Sequence, residues 1–353
     1  MEEQRVTLKM IAERAGTSIG TVDRAINNRG GVSERSQQLV LAVAKELGYR
    51  PNKFASALGR KKTIHIGIAY PMEPHEFFRD IDLGIDNAIE TLRDYGASVE
   101  KLRYETQHPK LVQEQLAGID PARYDGLALN TAGPSVTSQI DAFIQAGVPV
   151  ITFNTDAPES NRLFYVGNDS RQSGLMAAEL LGMLLQGRGN VTVLGNFAQA
   201  APFIERFGGF CEYVRMNAPG INILPCTECH SNPELASQIL IDLLERQPDI
   251  SGIFCTGYSS TVGAMMGLQK LGRRDIRVIG YDVTERTAQM LREGWCDALL
   301  YQEPYRQGYQ AANLLARHIL EGWTPPHKRL NLDTQIVIKS NVDSYMDKAP
   351  ILP

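Results

Sequence analysis

Thr7-Leu8-Lys9-Met10-Ile11-Ala12-Glu13-Arg14-Ala15-Gly16-Thr17-Ser18-Ile19-Gly20-Thr21-Val22-Asp23-Arg24-Ala25-Ile26-Asn27 holds two short helical patterns with one break between them. Leu8, Ile11, Ala12 and Ala15 recur on one face of a helix, and Thr7 is placed to cap its start. Gly16 ends that helix. Ser18 caps a second one running to about Asn27, with Ile19, Val22 and Ile26 on one side. Two short helices joined by a tight glycine-containing turn form a helix-turn-helix, in which Ala12 sits at the crossing, Gly16 in the turn and Val22 in the core. A third amphipathic helix, capped by Ser33 and supported by Val40, Val43, Ala44 and Leu47, completes a small all-α unit.

Charge follows this division. Residues 1–62 hold 12 Lys and Arg against 6 Asp and Glu, and the rest hold 24 against 34, so the net −4 of the chain hides a basic head on an acidic body. That distribution suits a phosphate-contacting module, although a merely solvated helix pair has the same charge. A chain of 353 residues, 43% apolar and 22% charged, is expected to form two or three globular units. No apolar run reaches the ~20 residues of a membrane span, and Met1 to Met10 lacks a signal-peptide core. The five cysteines, Cys211, Cys226, Cys229, Cys255 and Cys296, form no disulfide framework and fit a reducing compartment. A cytoplasmic location is expected.

The stretch from Val6 to Ser18, with Thr21 to Asn27 and Gly48-Tyr49-Arg50-Pro51-Asn52 beyond the third helix, resembles the headpiece of the lactose/galactose-repressor family of transcription regulators. The resemblance implies that the second helix enters the major groove of operator DNA, with Ile19, Gly20 and Arg24 at base-reading positions and Ser18 and Thr21 near phosphates. Arg24 is the candidate for direct readout, because a guanidinium can bond guanine O6 and N7 together. Ile19 and Gly20 offer apolar contact or close approach. Asn27, Tyr49 and Asn52 complete the expected DNA-binding set. Asp23 departs from the family, where serine is usual, and its carboxylate repels phosphate unless Arg24, Arg14 or another cation pairs with it. Residues 52–62 resemble the family's hinge segment, with Ala55 and Leu58 at its minor-groove positions and Leu58 as the wedge. Ser56 and Gly59 replace the basic residues common there, and Gly59 weakens a helix by ~1 kcal/mol. An ordinary basic linker is the alternative.

From Thr63 onward strands alternate with helices. Apolar runs predict strands at 64–70, 98–104, 126–129, 148–153, 164–167, 190–194, 221–224, 252–255, 277–281 and 298–302, and a helix from about Phe77 to Tyr95. Such alternation predicts parallel α/β sheets. Its length predicts two doubly wound lobes, and the family resemblance implies that 63–353 is an effector and dimerisation domain with an N-lobe of about 63–165 and 299–325 and a C-lobe of about 166–298 and 326–353. Ligands of such sheets bind beyond the carboxyl ends of the strands. The polar residues there resemble the ribose-type periplasmic binding proteins: Asn154-Thr155-Asp156, the Arg206-x-x-Gly209-Phe210 helix start, Asp282, and the Gln302-x-Pro304 turn. Planar carboxylates, amides and guanidinium forks read neighbouring hydroxyls two at a time. Asp156, Arg206, Asp282 and Gln302 are the leading effector-binding candidates, with Phe77, Phe78, Asn154 and Tyr258 next. For any one of them a helix cap or loop hydrogen bond is the alternative.

Cys226-Thr227-Glu228-Cys229-His230 has the spacing of a c-type haem attachment, a chemistry that requires export; a coincidental loop is the expectation. No nucleophile elbow, Walker loop, His-Glu-x-x-His or dinucleotide glycine pattern occurs. A repressor-type transcription regulator is therefore expected, with no enzymatic activity, metal or cofactor, binding double-stranded DNA as a homodimer. The chain ends at Pro353 without a leucine-heptad tail, so tetramers are not expected. Its effector is expected to be a sugar, sugar acid or cyclitol, bridging Asp156 of one lobe to Arg206 or Asp282 of the other. The alternatives are a purine-like effector on the same architecture, or a solute-binding protein.

Overall fold

The computed structural model describes residues 7–26, 30–47, 63–71, 76–104, 109–131 and 136–346. The chain divides into two compact units, Met1–Lys61 and Lys62–Pro353. Asn27, Tyr49, Asn52, Ala55 and Leu58, and the segment 52–62, lie outside the described residues.

In the first unit α1 (Leu8–Ala15), α2 (Ile19–Ile26) and α3 (Glu34–Glu46) pack around Ile11, Ala12, Val22, Ala25, Val40, Val43 and Ala44. Thr7 Oγ1 accepts from the Met10 N–H at 3.3 Å and Ser18 Oγ from that of Thr21 at 3.1 Å, satisfying donors that a helix start leaves orphaned. Gly16 ends α1 in the left-handed region at φ 63°, where a side chain is costly. One expectation is corrected. Ile19, grouped by spacing with Val22 and Ile26, is 50% exposed, and Ala25 takes the core position instead. Ile19 is the first residue of α2 and lies outside the cluster that the three helices share.

The second unit has two sheets. The first runs β12 (Arg329–Leu332), β5 (Tyr165–Asn168), β4 (Val150–Phe153), β3 (Gly126–Leu129), β1 (Ile64–Pro71), β2 (Ala97–Tyr104), all parallel. The second runs β13 (Gln335–Val337), β11 (Ala298–Tyr301), β10 (Arg277–Tyr281), β9 (Ile250–Cys255), β6 (Arg188–Gly195), β7 (Gly220–Ile223), with β8 (Thr227–Glu228) beside β6. It is parallel except for β13, which runs antiparallel to β11. α4 (Glu76–Arg93), α5 (Pro109–Ala117), α6 (Thr137–Gln145) and α12 (Pro304–Glu321) cover the first sheet. α7 (Ser170–Leu184), α8 (Ala201–Asn217), α9 (Pro233–Arg246), α10 (Tyr258–Leu271), α11 (Glu285–Arg292) and the short α13 (Asp343–Met346) cover the second.

The crossing of α7 and α8 is made close by a pair of glycines. A Cβ on Gly174 of α7 would stand 2.0 Å from the Arg206 carbonyl oxygen of α8, and one on Gly209 of α8 would stand 2.1 Å from that of Arg171. The Gly174 contact seats the Arg206 backbone directly on α7, which fixes where the Arg206 side chain starts.

The lobe boundaries differ from those expected. Tyr165–Asn168 and Arg329–Leu332 pair with each other in the first sheet, so the first lobe extends to Asn168 and includes residues placed at 326–332 in the C-lobe. Ala298–Tyr301 pairs with β10 and belongs to the second lobe. Edge pairing decides these assignments, and a four-residue strand does not announce its partner. β8, β12 and β13 have two to four residues and were not anticipated as strands.

Candidate functional site

A cleft of about 630 Å³, open to solvent, lies at the carboxyl ends of both sheets. The first lobe supplies Phe77 and Phe78 from the start of α4, and Asn154 and Thr155 after β4. The second supplies Asn196 and Phe197 after β6, Ala200, Pro202, Phe203 and Arg206 at α8, Thr256, Gly257 and Tyr258 after β9, Asp282 after β10 and Gln302 after β11. A parallel sheet aims every strand at the same edge, so loops distant in sequence converge there.

Arg206, Gln302 and Asp282 form one hydrogen-bonded chain. Arg206 Nη2 donates to Gln302 Oε1 at 2.5 Å, and Gln302 Nε2 donates to Asp282 Oδ1 at 2.6 Å. Arg206 Nη1 donates to the Thr256 carbonyl at 2.6 Å, and its guanidinium carbon lies 4.1 Å from the centre of the Tyr281 ring. Burial pushes the Tyr281 hydroxyl pKa up, with the Arg206 charge opposing. Asn154 and Asp282 both sit in the left-handed region, at φ 60° and 68°. Asparagine and aspartate tolerate it best among residues with side chains, and such geometry concentrates at ligand sites. Opposite the polar chain, the Phe77 and Phe78 rings meet edge to face, 5.2 Å apart and both largely buried.

Seven of the eight expected effector residues line this cleft: Phe77, Phe78, Asn154, Arg206, Tyr258, Asp282 and Gln302. Asp156 does not. Its carboxylate accepts from Thr152 Oγ1 at 2.7 Å, the Ala157 N–H at 2.8 Å, Arg162 Nη2 at 2.6 Å and also Arg162 Nε. Both charged side chains are 3% exposed, and Arg329 Nη1 lies 3.7 Å away. The bridge from Asp156 across the cleft is thus replaced by an ion pair that closes the turn between β4 and β5, because Arg162 lies within that turn. Nearby, burial holds the Glu205 carboxyl above its ordinary pKa, with Arg329 opposing.

Asn196, Phe197 and Phe203 were missed, although Asn196-Phe197 follows an apolar strand as the other lining residues do. The Cys226–His230 segment backs this loop. The Cys229 and His230 N–H groups donate to the Gly195 and Asn196 carbonyls at 2.8 and 2.9 Å, and Cys229 Sγ reaches Asn196 Oδ1 at 3.5 Å. Burial pushes both the Cys226 and Cys229 thiols up to about 11. Among the described residues no group of three His, Cys, Asp or Glu could hold a metal ion.

In the first unit the expected DNA-facing residues share one side of α2. Ser18, Ile19, Gly20 and Arg24 are exposed and Thr21 is half-buried, while Val22 and Ala25 face the core. Ser18 and Thr21 hydroxyls lie 2.9 Å apart, and Arg24 Nε donates to the Gly20 carbonyl at 3.2 Å.

Residues 7–52 match the model of the bacterial regulatory proteins of the lacI family, and residues 66–322 match a periplasmic binding protein domain. The chain carries the DNA-binding domain of the lacI family of transcription regulators. The Ribose operon repressor of Halalkalibacterium halodurans is 26% identical to the regulator over 279 residues, 78% of this chain and 80% of that protein. The HTH-type transcriptional regulator CelR of Thermobifida fusca is 26% identical over 96% of this chain and 98% of its own. Among solved structures, the glucose-galactose binding protein GanP of Geobacillus stearothermophilus superposes with a TM-score of 0.74 at 24% identity, over 80% of the regulator and 99% of GanP. A solute binding protein of Burkholderia graminis in complex with D-arabinose gives 0.74 at 23% identity, over 81% and 99%. At that identity the likeness shows the shared two-lobed fold. The regulator therefore joins a helix-turn-helix DNA-binding unit to a periplasmic-binding-protein-like domain. No described helix is long and apolar enough to cross a membrane.

Proposed function

We propose that the regulator is a cytoplasmic repressor that binds operator DNA as a homodimer and changes its operator affinity when a sugar, sugar acid or cyclitol occupies the interlobe cleft. One observation carries the effector class: aromatic faces, Phe77 and Phe78, stand across one cleft from a carboxylate, amide and guanidinium row, Asp282, Gln302 and Arg206. A polyol ring offers apolar C–H faces and a rim of hydroxyls, which is the complement of that lining. The relatives' names support the same class, and a DNA-binding unit in the same chain disfavours a transport role. No catalytic set is proposed.

On the DNA side, Arg24 is proposed to read guanine and Ser18 and Thr21 to reach phosphates. Gly20 carries further support. A Cβ there would meet Arg24 Nη2 at 3.7 Å and Ser18 Oγ at 3.9 Å, both ordinary contacts, so nothing among the described residues demands glycine. Its bare backbone suits close approach to a partner outside.

The test is a thermal-shift screen of the full chain against D-ribose, D-arabinose, D-galactose, D-gluconate, myo-inositol, adenine and hypoxanthine. A true effector raises the midpoint with dose, by mass action. Operator titration then follows, with and without the best compound, on a duplex selected from a random pool. Asp282→Ala is expected to abolish the response while ligand-free operator affinity stays within about tenfold, ~1.4 kcal/mol. A shift with adenine or hypoxanthine alone makes the effector a purine, and no retention of any duplex at low salt removes the DNA-binding reading.

A further inference from the structure

Between the cleft and the crossings that join the two lobes lies a buried amide hub built on Gln307. The chain passes between the sheets three times: after Asn168 of β5, after Tyr301 of β11, and after Leu332 of β12. Gln307, in the first turn of α12, is fully buried. Its Nε2 donates to Asn168 Oδ1 and to the Gln302 carbonyl, both at 2.7 Å, and its Oε1 accepts from Asn154 Nδ2 at 3.0 Å. Both amide protons and the amide oxygen are therefore engaged. Asn168 Nδ2 carries the contact onward, to the Leu332 carbonyl at 3.1 Å and the Asp333 carbonyl at 2.9 Å.

One side chain thus touches the first crossing at Asn168 and the second at Gln302, and reaches the third through Asn168. It also holds two residues that line the cleft, Asn154 from the first lobe and Gln302 from the second. Asn154 is further steadied by Asn130 Nδ2, which donates to its Oδ1 at 2.9 Å. We infer that Gln307 is the positioning residue of the effector site: it sets the Asn154 side chain and the Gln302 backbone across the cleft and ties their placement to the geometry of all three crossings. A rotation of one lobe on the other must move Asn154 relative to Gln302. Because a buried amide cannot exchange its partners for water, that motion either carries the hub with it or leaves its groups unpaired. Apolar packing in the same place would fill the volume but would not tie the two lining residues to each other.

The inference builds on the effector reading above, but its test does not need an effector. Amide hydrogen exchange is followed in the full chain, ligand-free, for the unmodified protein and for Gln307→Glu. The substitution preserves shape and the bond from Asn154, but turns a carboxylate oxygen toward Asn168 Oδ1 and the Gln302 carbonyl. Exchange is expected to quicken roughly tenfold or more, together, in segments 165–172, 300–306 and 329–336, with α9 and α10 unchanged. Asn168→Ala, which removes the onward contact from the other end, is expected to give the same pattern and serves if Gln307→Glu does not fold. Uniform acceleration over the whole chain, or a change confined to α12, overturns the inference and makes Gln307 a packing residue. A separate arm adds saturating D-ribose to the unmodified protein. Absence of protection there counts against D-ribose as the effector alone, because the ligand-free comparison still decides the role of Gln307.

Discussion

Asp156 and Asp282 are the same residue type in the same kind of place, just past the carboxyl end of a parallel strand, yet they do different work. Asp282 lines the cleft with Gln302 on one oxygen, whereas Asp156 is buried against Arg162 and roofed by Arg329. Removing the Asp156 carboxylate leaves a buried guanidinium without its partner, a loss that costs about 3–5 kcal/mol in comparable pairs. Asp156→Ala is therefore expected to lower the unfolding free energy of the second unit by that much, read as a fall in its urea midpoint. A midpoint unchanged within 1 kcal/mol, scaled by the usual slope, returns Asp156 to the list of ligand residues. Asp282→Ala, by contrast, leaves no buried cation orphaned, since Arg206 keeps the Thr256 carbonyl and Gln302.

At the scale of elements, α2 carries an internal conflict that function resolves. Gly20 is the second residue of α2, where glycine still costs up to ~1 kcal/mol relative to alanine, and a Cβ there meets only the ends of the Arg24 and Ser18 side chains, at 3.7 and 3.9 Å. Gly20→Ala is expected to raise the thermal stability of the first unit while weakening operator binding at least tenfold. Arg24→Ala instead is expected to cost ~1–3 kcal/mol on operator DNA and to relax base preference at one position per half-site. Operator titrations of both variants beside random duplex decide this, and an unchanged Gly20→Ala affinity excludes close approach. The α4–β2 pair makes a different point about charge. Burial works to raise the Asp82 pKa, but hydrogen bonds from Tyr70, Lys101 and Arg103 outweigh it and leave the carboxyl lowered. A depressed folded value means stability that is present above the ordinary carboxylate pKa of about 3.9 and lost as pH falls through the lowered one. The stability gap between the unmodified chain and Asp82→Asn is thus expected to be full at neutral pH and to close below about pH 4. Melting curves across pH 3–7 measure it, and a gap independent of pH refutes the assignment.

For the whole molecule, a single helix-turn-helix reads too few bases to find one operator, so the proposed homodimer is expected to place two on each site. Sedimentation on a selected operator duplex is expected to show two chains per duplex, and one stable chain per duplex excludes the homodimer. Most of the architecture was legible in sequence because its signals are local. The strands from Ile64 to Pro71 and from Arg277 to Tyr281 are predominantly apolar, interrupted only by His65 and Arg277, and Thr7, Gly16, Ser18 and Ser33 mark helix ends by their own chemistry. The site was legible to the same extent, since parallel strands deliver Asn154, Tyr258, Asp282 and Gln302 to one edge whatever their partners. What escaped was pairing: Arg329–Leu332 joins Tyr165–Asn168 across more than 150 residues of chain, and nothing within four residues records that choice.

The sequence by itself determined the two-unit plan, the alternation of strand and helix, the basic helix-turn-helix and the kind of side chain gathered at the strand ends. These follow from periodicity, capping and charge, which act between near neighbours. Only the tertiary structure decided which lobe owns each edge strand, that Ile19 faces outward while Ala25 is buried, that Asp156 serves Arg162 instead of the cleft, and that Gln307 meets Asn154, Asn168 and Gln302. Each of those outcomes depends on burial and on hydrogen-bond partners remote in the chain. A carboxylate or an amide has the same formula at every position, and its role is set by which groups the fold brings within about 3 Å of it.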